Sequence, residues 1–487
     1  MKHDYKKTYC NPLSMPCCPK GDDTWAVMDF TGEVPSDYRS ISDPSVLYYE
    51  NKWYLYPSYG MAYVSEDFIN WEHVRCEPYN MHYSPCVVPF GGKFLMTSHS
   101  NGLYEGDTPV GPFRYLGDFI QPDGSEYRPV DPALFVDDDG RLYLYCFKYE
   151  QGAHKRTFVS GSYGVELCPD NPRKFVSDMV LLNEFDPKNE WERYGERRQD
   201  TLCGWVEGQW MYKKNGRYYL IYASSGTEFG SYCMAAYYSD ESPLSGFVLQ
   251  KNNPITESRN GIVRGAGHGC VVDGPNDTIW AFFTVTKAYT HVFERCIGMD
   301  VLAINKDGEL YAPHGVSDTP QYGPGVADDP VLCNDAGLYP LTLYQRNKTK
   351  ASSQMSGHEA FYALDESMLT FWQPCDNDEC PCISVDLEAP YNVCASRIIW
   401  RDIGLDYENG VLPGPYKYII EARPDDDKDE WVTLFDCSDN DKDLNIDYRT
   451  FDAVSCECVR LKIVGVPKGL RPAVVSFTVF GTRDETL

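Results

Sequence analysis

The segment Val130–Phe147 reads VDPALFVDDDGRLYLYCF. A short apolar strand leads into a polar turn at Asp139 and Gly140, and a second strand rich in aromatic side chains follows. Asp and Gly tolerate positive φ, so this pair is typical of a β-hairpin turn. Four more segments share the design: ISDPSVLYYENKWYLYPS from Ile41, YSPCVVPFGGKFLMTSHS from Tyr83, VEGQWMYKKNGRYYLIYA from Val206 and GHGCVVDGPNDTIWAFFT from Gly267.

Repeated hairpins without helical patterning predict an all-β fold that begins with a five-bladed β-propeller. The stretch from Glu150 to Thr201 is interpreted as an insertion between two blades. The turn pairs in the other four segments are Asn215-Gly216 and Gly91-Gly92, which are strong signals, and Asn51-Lys52 and Asn276-Asp277, which are weaker ones.

One residue in each repeat stands at the start of the first strand, seven or eight positions before the hairpin turn. The innermost strands of a propeller all begin at the same end of the central channel. We therefore expect these side chains to meet in one small volume, although they are far apart in the sequence. The five residues are Asp43, Ser84, Asp131, Glu207 and His268.

Three of these five positions are carboxylic acids: Asp43, Asp131 and Glu207. A single Asp-Pro pair is a common turn with a purely structural role. Three acids in register are harder to explain in that way, because like charges that converge repel one another. Glycoside hydrolysis needs such a set: one protonated acid for the leaving oxygen and one carboxylate that activates water or attacks the sugar. A third carboxylate raises the pKa of the acid.

The pattern changes after the hairpin that ends near Leu310. A Gly-, Pro- and Asp-rich stretch follows and is interpreted as a linker. Segments beyond about Leu341 alternate apolar and polar residues, which predicts a β-sandwich or jelly roll. The predicted domains are a catalytic propeller over residues 1–330, with the linker at about 315–340, and a sandwich over residues 341–487 that folds separately.

The formal net charge of −28 argues against two classes of partner. Such a surface repels phosphate backbones and anionic membranes but does not repel a neutral oligosaccharide. No stretch approaches the roughly 20 apolar residues of a membrane span. The 19 cysteines, without an apolar run of signal-peptide length near the N-terminus, favour free thiols and a cytoplasmic location. No pattern in the sequence defines an oligomeric state.

Taken in order, the motifs resemble those of glycoside hydrolase family 43 over residues 11–310. They are C-N-P-L near the N-terminus, S-D-P from Ser42, V-D-P from Val130, V-E-G from Val206 and G-H from Gly267. Gln209 departs from the pattern, because the family usually has Pro there.

The resemblance implies an inverting glycoside hydrolase. It makes Asp43 the general base, Asp131 the pKa modulator and Glu207 the general acid. The base and the acid should then stand about 6.5–9.5 Å apart, with room for a water between them. The resemblance implies no required cofactor.

The resemblance also implies two residues that bind substrate. Arg295 matches an arginine near the pKa modulator and the sugar hydroxyls, with a surface salt bridge as the alternative. His268 matches a histidine that binds a water, or a calcium–water cluster at the channel centre, with a structural hydrogen bond as the alternative. Register alone places Ser84 in the pocket. Trp205 and Tyr83 precede two of these positions and are candidates for a sugar platform, with the alternative that strand alternation turns them away from the pocket.

The substrates that the resemblance implies are terminal α-L-arabinofuranosyl or β-D-xylosyl units of plant-type oligosaccharides. An exo-galactosidase or galactofuranosidase on the same fold is one alternative, and a non-catalytic carbohydrate-binding propeller is another. A cytoplasmic enzyme would meet imported oligosaccharides, which favours an exo mode. From about Leu341 to Thr482 the chain resembles the discoidin-like, or coagulation factor 5/8 type C, sandwich, a module that often binds sugars.

Overall fold

The computed structural model describes residues 5–16, 38–58, 61–77, 82–151, 158–424 and 430–483. Nearly all regular structure is β, and the one α-helix in these ranges is α1 (Pro330–Cys333). Within the same ranges, no helix has both the length and the apolar character that crossing a bilayer requires. The 3₁₀ turns are Tyr5–Lys7, Glu190–Glu192, Pro275–Asp277, Arg346–Lys348 and Ala360–Ala363.

After β1 (Thr8–Tyr9), the chain forms two four-stranded antiparallel sheets whose strands follow chain order. The first sheet consists of β2 (Ser45–Tyr49), β3 (Lys52–Tyr56), β4 (Met61–Ser65) and β5 (Glu72–Arg75). The second consists of β6 (Cys86–Phe90), β7 (Lys93–Thr97), β8 (Leu103–Gly106) and β9 (Arg114–Gly117).

The third sheet is the largest of those before the C-terminal region, with nine strands. Strands β16 and β18 add to β14 beside the main path, in the region where the sequence predicts an insertion. Its strands are β10 (Phe119–Ile120), β11 (Glu126–Tyr127), β12 (Val130–Val136), β13 (Leu142–Gln151), β14 (Phe158–Cys168), β15 (Asn171–Phe175), β16 (Val180–Glu184), β17 (Arg193–Tyr194) and β18 (Asp200–Gly204).

The fourth and fifth sheets return to the simple antiparallel order. The fourth consists of β19 (Val206–Lys214), β20 (Arg217–Ser224), β21 (Cys233–Ser239) and β22 (Val248–Leu249), with β23 (Thr256–Glu257) also paired to β21. The fifth consists of β24 (Gly267–Asp273), β25 (Ile279–Thr286), β26 (Arg295–Ile304) and β27 (Leu310–Tyr311).

The five hairpins that the sequence predicts begin these sheets, and their first strands form a closed ring. Strands β2, β6, β12, β19 and β24 each contact the next one, and β24 contacts β2. This is a propeller-like arrangement, and it confirms the all-β fold class.

Two of the three glycine-containing turn pairs have positive φ at both residues; in the third, Asp139-Gly140, only Gly140 does, at 83°, in a longer loop between the paired Val136 and Leu142. Asn215 and Gly216 have φ values of 53° and 81°, and Gly91 and Gly92 have 58° and 77°. The first hairpin differs from the expectation by one residue, since Tyr49 pairs with Lys52 and the turn is Glu50-Asn51. Asn51 tolerates positive φ in either register, so the sequence leaves this choice open.

The predicted linker is packed and carries regular structure. Strand β28 (Gln321–Tyr322) pairs with β1, and the Asp329 carboxylate caps α1 by accepting from the backbone N–H groups of Val331 and Leu332. Tyr322, Ala336 and Leu338 are buried, which turns a Gly- and Pro-rich stretch into part of the core.

The C-terminal region is a seven-stranded antiparallel sheet. Its central strands β31 and β34 have 19 and 20 residues and are broken by register shifts. The strands are β29 (Tyr339–Pro340), β30 (Thr349–Ala351), β31 (Cys382–Trp400), β32 (Lys417–Arg423), β33 (Val432–Asp436), β34 (Ile446–Gly465) and β35 (Val474–Arg483).

The C-terminal sheet shares its core with the rest of the chain. One cluster of buried side chains joins Phe283 and Val285 of the fifth sheet to Ile399 of β31 and Val475 of β35. The buried Arg397 donates to the backbone carbonyl oxygens of Asn11 and Asp318, each at 2.8 Å. The expectation that the two regions fold separately is therefore at odds with the packing.

Candidate active site

A cavity of about 650 Å³ opens where the innermost strands begin. All three strand-entry acids line it. Ser84 does not line it, although register alone predicts that it would, and lies buried behind His268. The sequence-predicted residues that line the cavity are Asp43, Asp131, Glu207, His268 and Arg295.

Extra residues in the β-ladders bring these side chains to the cavity. Between Val130 and Ala133, β12 has one residue more than the segment of β13 that it pairs with. Between Glu207 and Trp210, β19 likewise has one residue more than β20. A bulge of this kind re-aims a side chain at a strand end. The residue at this position has positive φ in four of the repeats: Asp131 (45°) and His268 (28°) inside a bulge, and Asp43 (51°) and Ser84 (51°) just before the first paired residue of the strand.

In the fourth repeat the positive φ of 59° belongs to Gly208, so the structural counterpart of Asp131 is Gly208 and not Glu207. The predicted register is one residue off there. The cause is loop length, because Lys214 pairs with Arg217 across a two-residue turn while the third hairpin has a longer loop. A Cβ atom at Gly208 would lie 2.7 Å from the His268 ring, which explains the glycine.

Asp43 is held as a carboxylate by four groups. Its Oδ2 accepts hydrogen bonds from the hydroxyls of Ser58 at 2.6 Å and Ser42 at 2.9 Å, and its Oδ1 accepts from Arg295 Nη1 at 3.0 Å. His268 Nδ1 lies 3.4 Å from Oδ1. Burial opposes ionisation, but these groups outweigh it and hold the pKa of Asp43 below its ordinary value.

Glu207 lies in the opposite electrostatic situation. Its Oε1 accepts from the Tyr232 hydroxyl at 2.6 Å, and its Oε2 accepts from Trp205 Nε1. Burial raises the pKa of Glu207, and the charges of Asp131 and Asp43 add to this effect, so that the pKa reaches about 8 in spite of the two hydrogen bonds. Glu207 therefore keeps its proton at neutral pH, while Asp43 does not.

Asp131 is paired with a histidine that the sequence reasoning missed. His99 Nδ1 lies 3.0 Å from Asp131 Oδ1. Burial lowers the pKa of His99, but the hydrogen bond and the charge of Asp131 outweigh it, and the pKa is raised. His99 follows β7, which is antiparallel to β6, so it lies at the same end of the channel as the strand-entry residues.

His268 connects two of the predicted positions. Its Nε2 lies 2.7 Å from Ser84 Oγ, and its Nδ1 faces Asp43. Calcium prefers six to eight oxygen ligands. In the described ranges no group of three or more His, Cys, Asp or Glu side chains is placed to hold a metal ion. Among the described carboxylates, that of Asp43 contacts His268 and already carries four contacts, so these side chains fit direct calcium ligation poorly.

Arg295 is buried, so the surface salt bridge is wrong as an alternative. Its carboxylate partner is Asp43 and not Asp131, and its Nη1 also donates to Thr227 Oγ1 at 3.2 Å. Arg295 begins β26, which pairs with β25 beside the entry of the first sheet, and this places its guanidinium on the Asp43 side of the cavity.

Aromatic side chains form much of the cavity wall. Trp205 and Tyr83 both line the cavity, contrary to the prediction from strand alternation. Trp205 stands two positions before Glu207, so alternation itself places these two side chains on one face, and Trp205 Nε1 donates to Glu207. Phe147, Tyr149, Tyr194 and Phe293 also line the cavity. Such rings suit the apolar faces of a sugar.

The comparisons with known proteins agree with this geometry. A sequence model of the family described as "Glycosyl hydrolases family 43" matches residues 39–310. "Xylosidase/arabinosidase 43B" of Humicola insolens is 26% identical over 315 residues, which are 56% of this chain and 53% of that protein. "Beta-xylosidase" of Xylanibacter ruminicola is 23% identical over 310 residues, 50% of this chain and 91% of that protein.

A third relative, "Beta-D-galactofuranosidase xynD" of Aspergillus niger, is 23% identical over 260 residues, which are 45% of this chain and 67% of that protein. The chain thus spans about half the length of the Humicola insolens protein. Among solved structures, "Crystal structure of a thermostable family-43 glycoside hydrolase" is similar in fold, with a TM-score of 0.50 and 21% identity over 65% of this chain and 99% of that one.

Proposed function

Because the chain belongs to glycosyl hydrolases family 43, we propose that it is an inverting glycosidase. In this proposal it removes terminal α-L-arabinofuranosyl or β-D-xylosyl units from plant-type oligosaccharides. The observation that carries the proposal is the opposite protonation of two carboxyl groups in one cavity. Asp43 is held ionised by Arg295 and two serine hydroxyls, whereas burial and Asp131 keep the proton on Glu207.

The chemistry follows from these protonation states. Asp43, as a carboxylate, takes a proton from a water that attacks the anomeric carbon. Glu207, as a neutral acid, gives its proton to the glycosidic oxygen as the leaving group departs. Asp131 does not exchange a proton with the substrate. His99 orients the Asp131 carboxylate, and the negative charge of that carboxylate keeps Glu207 protonated. No step in this scheme requires a metal ion, and a calcium ion bound through water near His268 stays a prediction.

The charge of the cavity supports a neutral substrate. The carboxyl groups of Asp43, Asp131, Glu207 and Glu228 line it, of which that of Glu207 is neutral; the basic groups beside them include the guanidinium of Arg295 and the imidazole of His99, which is paired with Asp131. The guanidinium already contacts Asp43. A sugar with its own carboxylate would meet net repulsion here, whereas arabinosyl and xylosyl units carry none.

The finer structural and cellular assignments also remain proposals. We propose that the five sheets whose inner strands form the closed ring are five propeller blades, and that the C-terminal sheet belongs to a discoidin-like sandwich. A cytoplasmic location rests on the cysteine content and the expectation of free thiols.

A galactofuranosidase is the second candidate, since the Aspergillus niger relative carries that name. A non-catalytic binding propeller is the third. Hydrolysis of 4-nitrophenyl α-L-arabinofuranoside, β-D-xyloside, β-D-galactoside and β-D-galactofuranoside separates them, and the last two substrates are the galactosyl ones. We expect turnover of one of the first two. Turnover of the galactosyl substrates alone favours a galactosyl-type specificity, and sugar binding without hydrolysis of any glycoside would refute the enzymatic proposal.

A further inference from the structure

Two segments that carry cavity residues are attached to the C-terminal region. Arg39 lies four positions before Asp43, and its guanidinium forms ion pairs with Asp402 at 2.8 Å and Asp443 at 2.6 Å. On the second segment, Lys287 Nζ donates to Asn445 Oδ1 at 3.1 Å. Arg39, Asp443, Lys287 and Asn445 are all buried. The C-terminal region therefore contacts the active-site framework through an internal polar network.

Residues 287–294, between β25 and β26, form a closed loop that supplies part of the cavity wall. Val292 and Phe293 line the cavity. The Glu294 carboxylate accepts from the backbone N–H groups of Tyr289 and Thr290, each at 2.8 Å, and so fixes the loop internally. The Phe293 ring lies under the guanidinium of Arg295, with 5.2 Å between Cζ and the ring centroid.

Arg401, directly after β31, holds this loop from outside. Its Nη2 donates to Thr290 Oγ1 at 2.9 Å, and its Nη1 lies 3.7 Å from the Glu294 carboxylate. Its guanidinium also lies 4.1 Å from the centroid of the Tyr289 ring. One planar cation thus contacts three residues of the loop, a geometry that a lysine ammonium does not reproduce. The Arg401 side chain is 16% exposed, so solvent weakens these contacts only in part.

We propose that Arg401 is a positioning residue, through which the C-terminal sheet sets the place of Phe293 in the substrate-binding wall. The C-terminal region is then a structural part of the active site, beyond any sugar binding of its own. This inference rests on the proposed glycosidase function for its kinetic consequence, but the placement of the loop does not depend on that function.

The kinetic test uses Arg401→Met, which keeps an unbranched side chain as far as the position of Nε and removes the charged guanidinium group. Phe293 lines the cavity; in this proposal its ring packs on the sugar away from the reacting atoms, so we expect KM to rise about tenfold, which is about 1.4 kcal/mol, with kcat changed by less than about threefold. Phe293→Ala should raise KM in the same way. If Arg401 acts through Phe293, the double variant should resemble Phe293→Ala alone, because the two effects are not additive.

Arg460→Met is the matched control. Arg460 also pairs with a carboxylate, that of Glu421, and lies 3.9 Å from the centroid of an aromatic ring, that of Trp431, but both partners belong to the C-terminal region and neither lines the cavity. Its loss should leave KM unchanged. Arg401→Lys should recover only part of the wild-type KM. If Arg401→Met does not fold, Thr290→Val replaces it in the test, because it removes the hydrogen bond between Arg401 and Thr290. The same rise in KM is then expected, and an unchanged KM would count against the positioning role.

Hydrogen–deuterium exchange provides a readout that needs no substrate. Arg401→Met should speed exchange in residues 287–294 about tenfold, and Arg460→Met should not. An active, folded Arg401→Met enzyme with wild-type KM and wild-type exchange in this loop would overturn the positioning role. A wild-type protein without hydrolytic activity would instead refute the proposed function, while the exchange experiment would still test the placement of the loop.

Discussion

The substitution Asp131→Asn distinguishes an electrostatic role of Asp131 from a direct catalytic one. The substitution removes a negative charge near Glu207 and keeps the size of the side chain. Burial is the largest cause of the raised pKa of Glu207, and the charge of Asp131 is the second. A neighbouring charge shifts the pKa of a carboxyl by about 1 to 3. Because burial persists in the variant, we expect the lower end of that range, a fall of about 1 from the value near 8, or about 1.4 kcal/mol.

The assay is the pH dependence of kcat/KM on an aryl glycoside, which reports the acid and the base of the free enzyme. The alkaline limb follows the loss of the Glu207 proton, so it should move to lower pH by about one unit, with a large drop in rate. The acidic limb follows Asp43 and should move less. The carboxyl groups titrate together, so both limbs report the coupled set.

His99→Gln is the control for the hydrogen bond of Asp131. Glutamine still donates to the carboxylate, and the charge of Asp131 remains, so the alkaline limb should not move to lower pH. If Asp131→Asn reduced the rate and left the alkaline limb in place, Asp131 would orient or bind the substrate and would not modulate Glu207. Unchanged activity would mean that Asp131 has no role in the reaction.

Three further predictions address the acid, the stereochemistry and the stability of the fold. Glu207→Gln should hydrolyse natural substrates about 10²–10⁴-fold more slowly, with a smaller reduction on aryl glycosides with good leaving groups. An equal reduction for all leaving groups would argue against the acid role. NMR of the first-formed sugar should show the inverted anomer, and a retained anomer would refute the mechanism. Removal of the chain after Leu341 should abolish cooperative thermal unfolding, because Phe283 and Val285 lose their buried contacts with Ile399; a truncated chain with a sharp transition would contradict this.

A fourth prediction concerns pH and stability, and it is independent of catalysis. Burial raises the pKa of Asp300 to about 7, so the folded protein keeps a proton that the unfolded carboxyl loses near pH 4. The contribution of Asp300 to the free energy of unfolding should fall as the pH rises from about 4 to 7. Asp300→Asn should reduce that fall by at least about 1.4 kcal/mol in denaturant titrations at the two pH values, and an unchanged difference would exclude a contribution from Asp300.

Much of the fold could be predicted because hairpin turns are local. The φ values at Asn215 and Gly216 follow from the residue types alone, and a turn fixes the pairing of the two strands it joins. The packing of the predicted linker could not be predicted, because Gly and Pro mark irregular backbone but not whether that backbone is buried. The contacts of Tyr322 and Leu338 join residues from distant parts of the chain, and no local pattern encodes them.

The partners of the acids follow a rule that the sequence could have supplied. In an antiparallel hairpin, the end of the second strand lies beside the start of the first, so each repeat brings a second residue to the cavity. Ser58 and His99 occupy such positions, and they bond to Asp43 and Asp131. Tyr232 contacts Glu207, and Arg295 contacts Asp43. Both lie at the third strand of their sheets, outside the inner hairpin, so the hairpin pattern does not predict them.

The shift in the fourth repeat explains how one cavity holds an acid and a base of different protonation. Asp131 lies in its bulge and Asp43 just before β2, and at both positions the adjoining strand ends supply polar partners. Glu207 precedes its bulge by one residue, with Gly208 in the position that points at the His268 ring. It meets Trp205 and Tyr232 instead, which bury it without bringing a cation. A one-residue displacement thus removes Glu207 from the reach of the groups that ionise Asp43, and burial can then keep its proton in place.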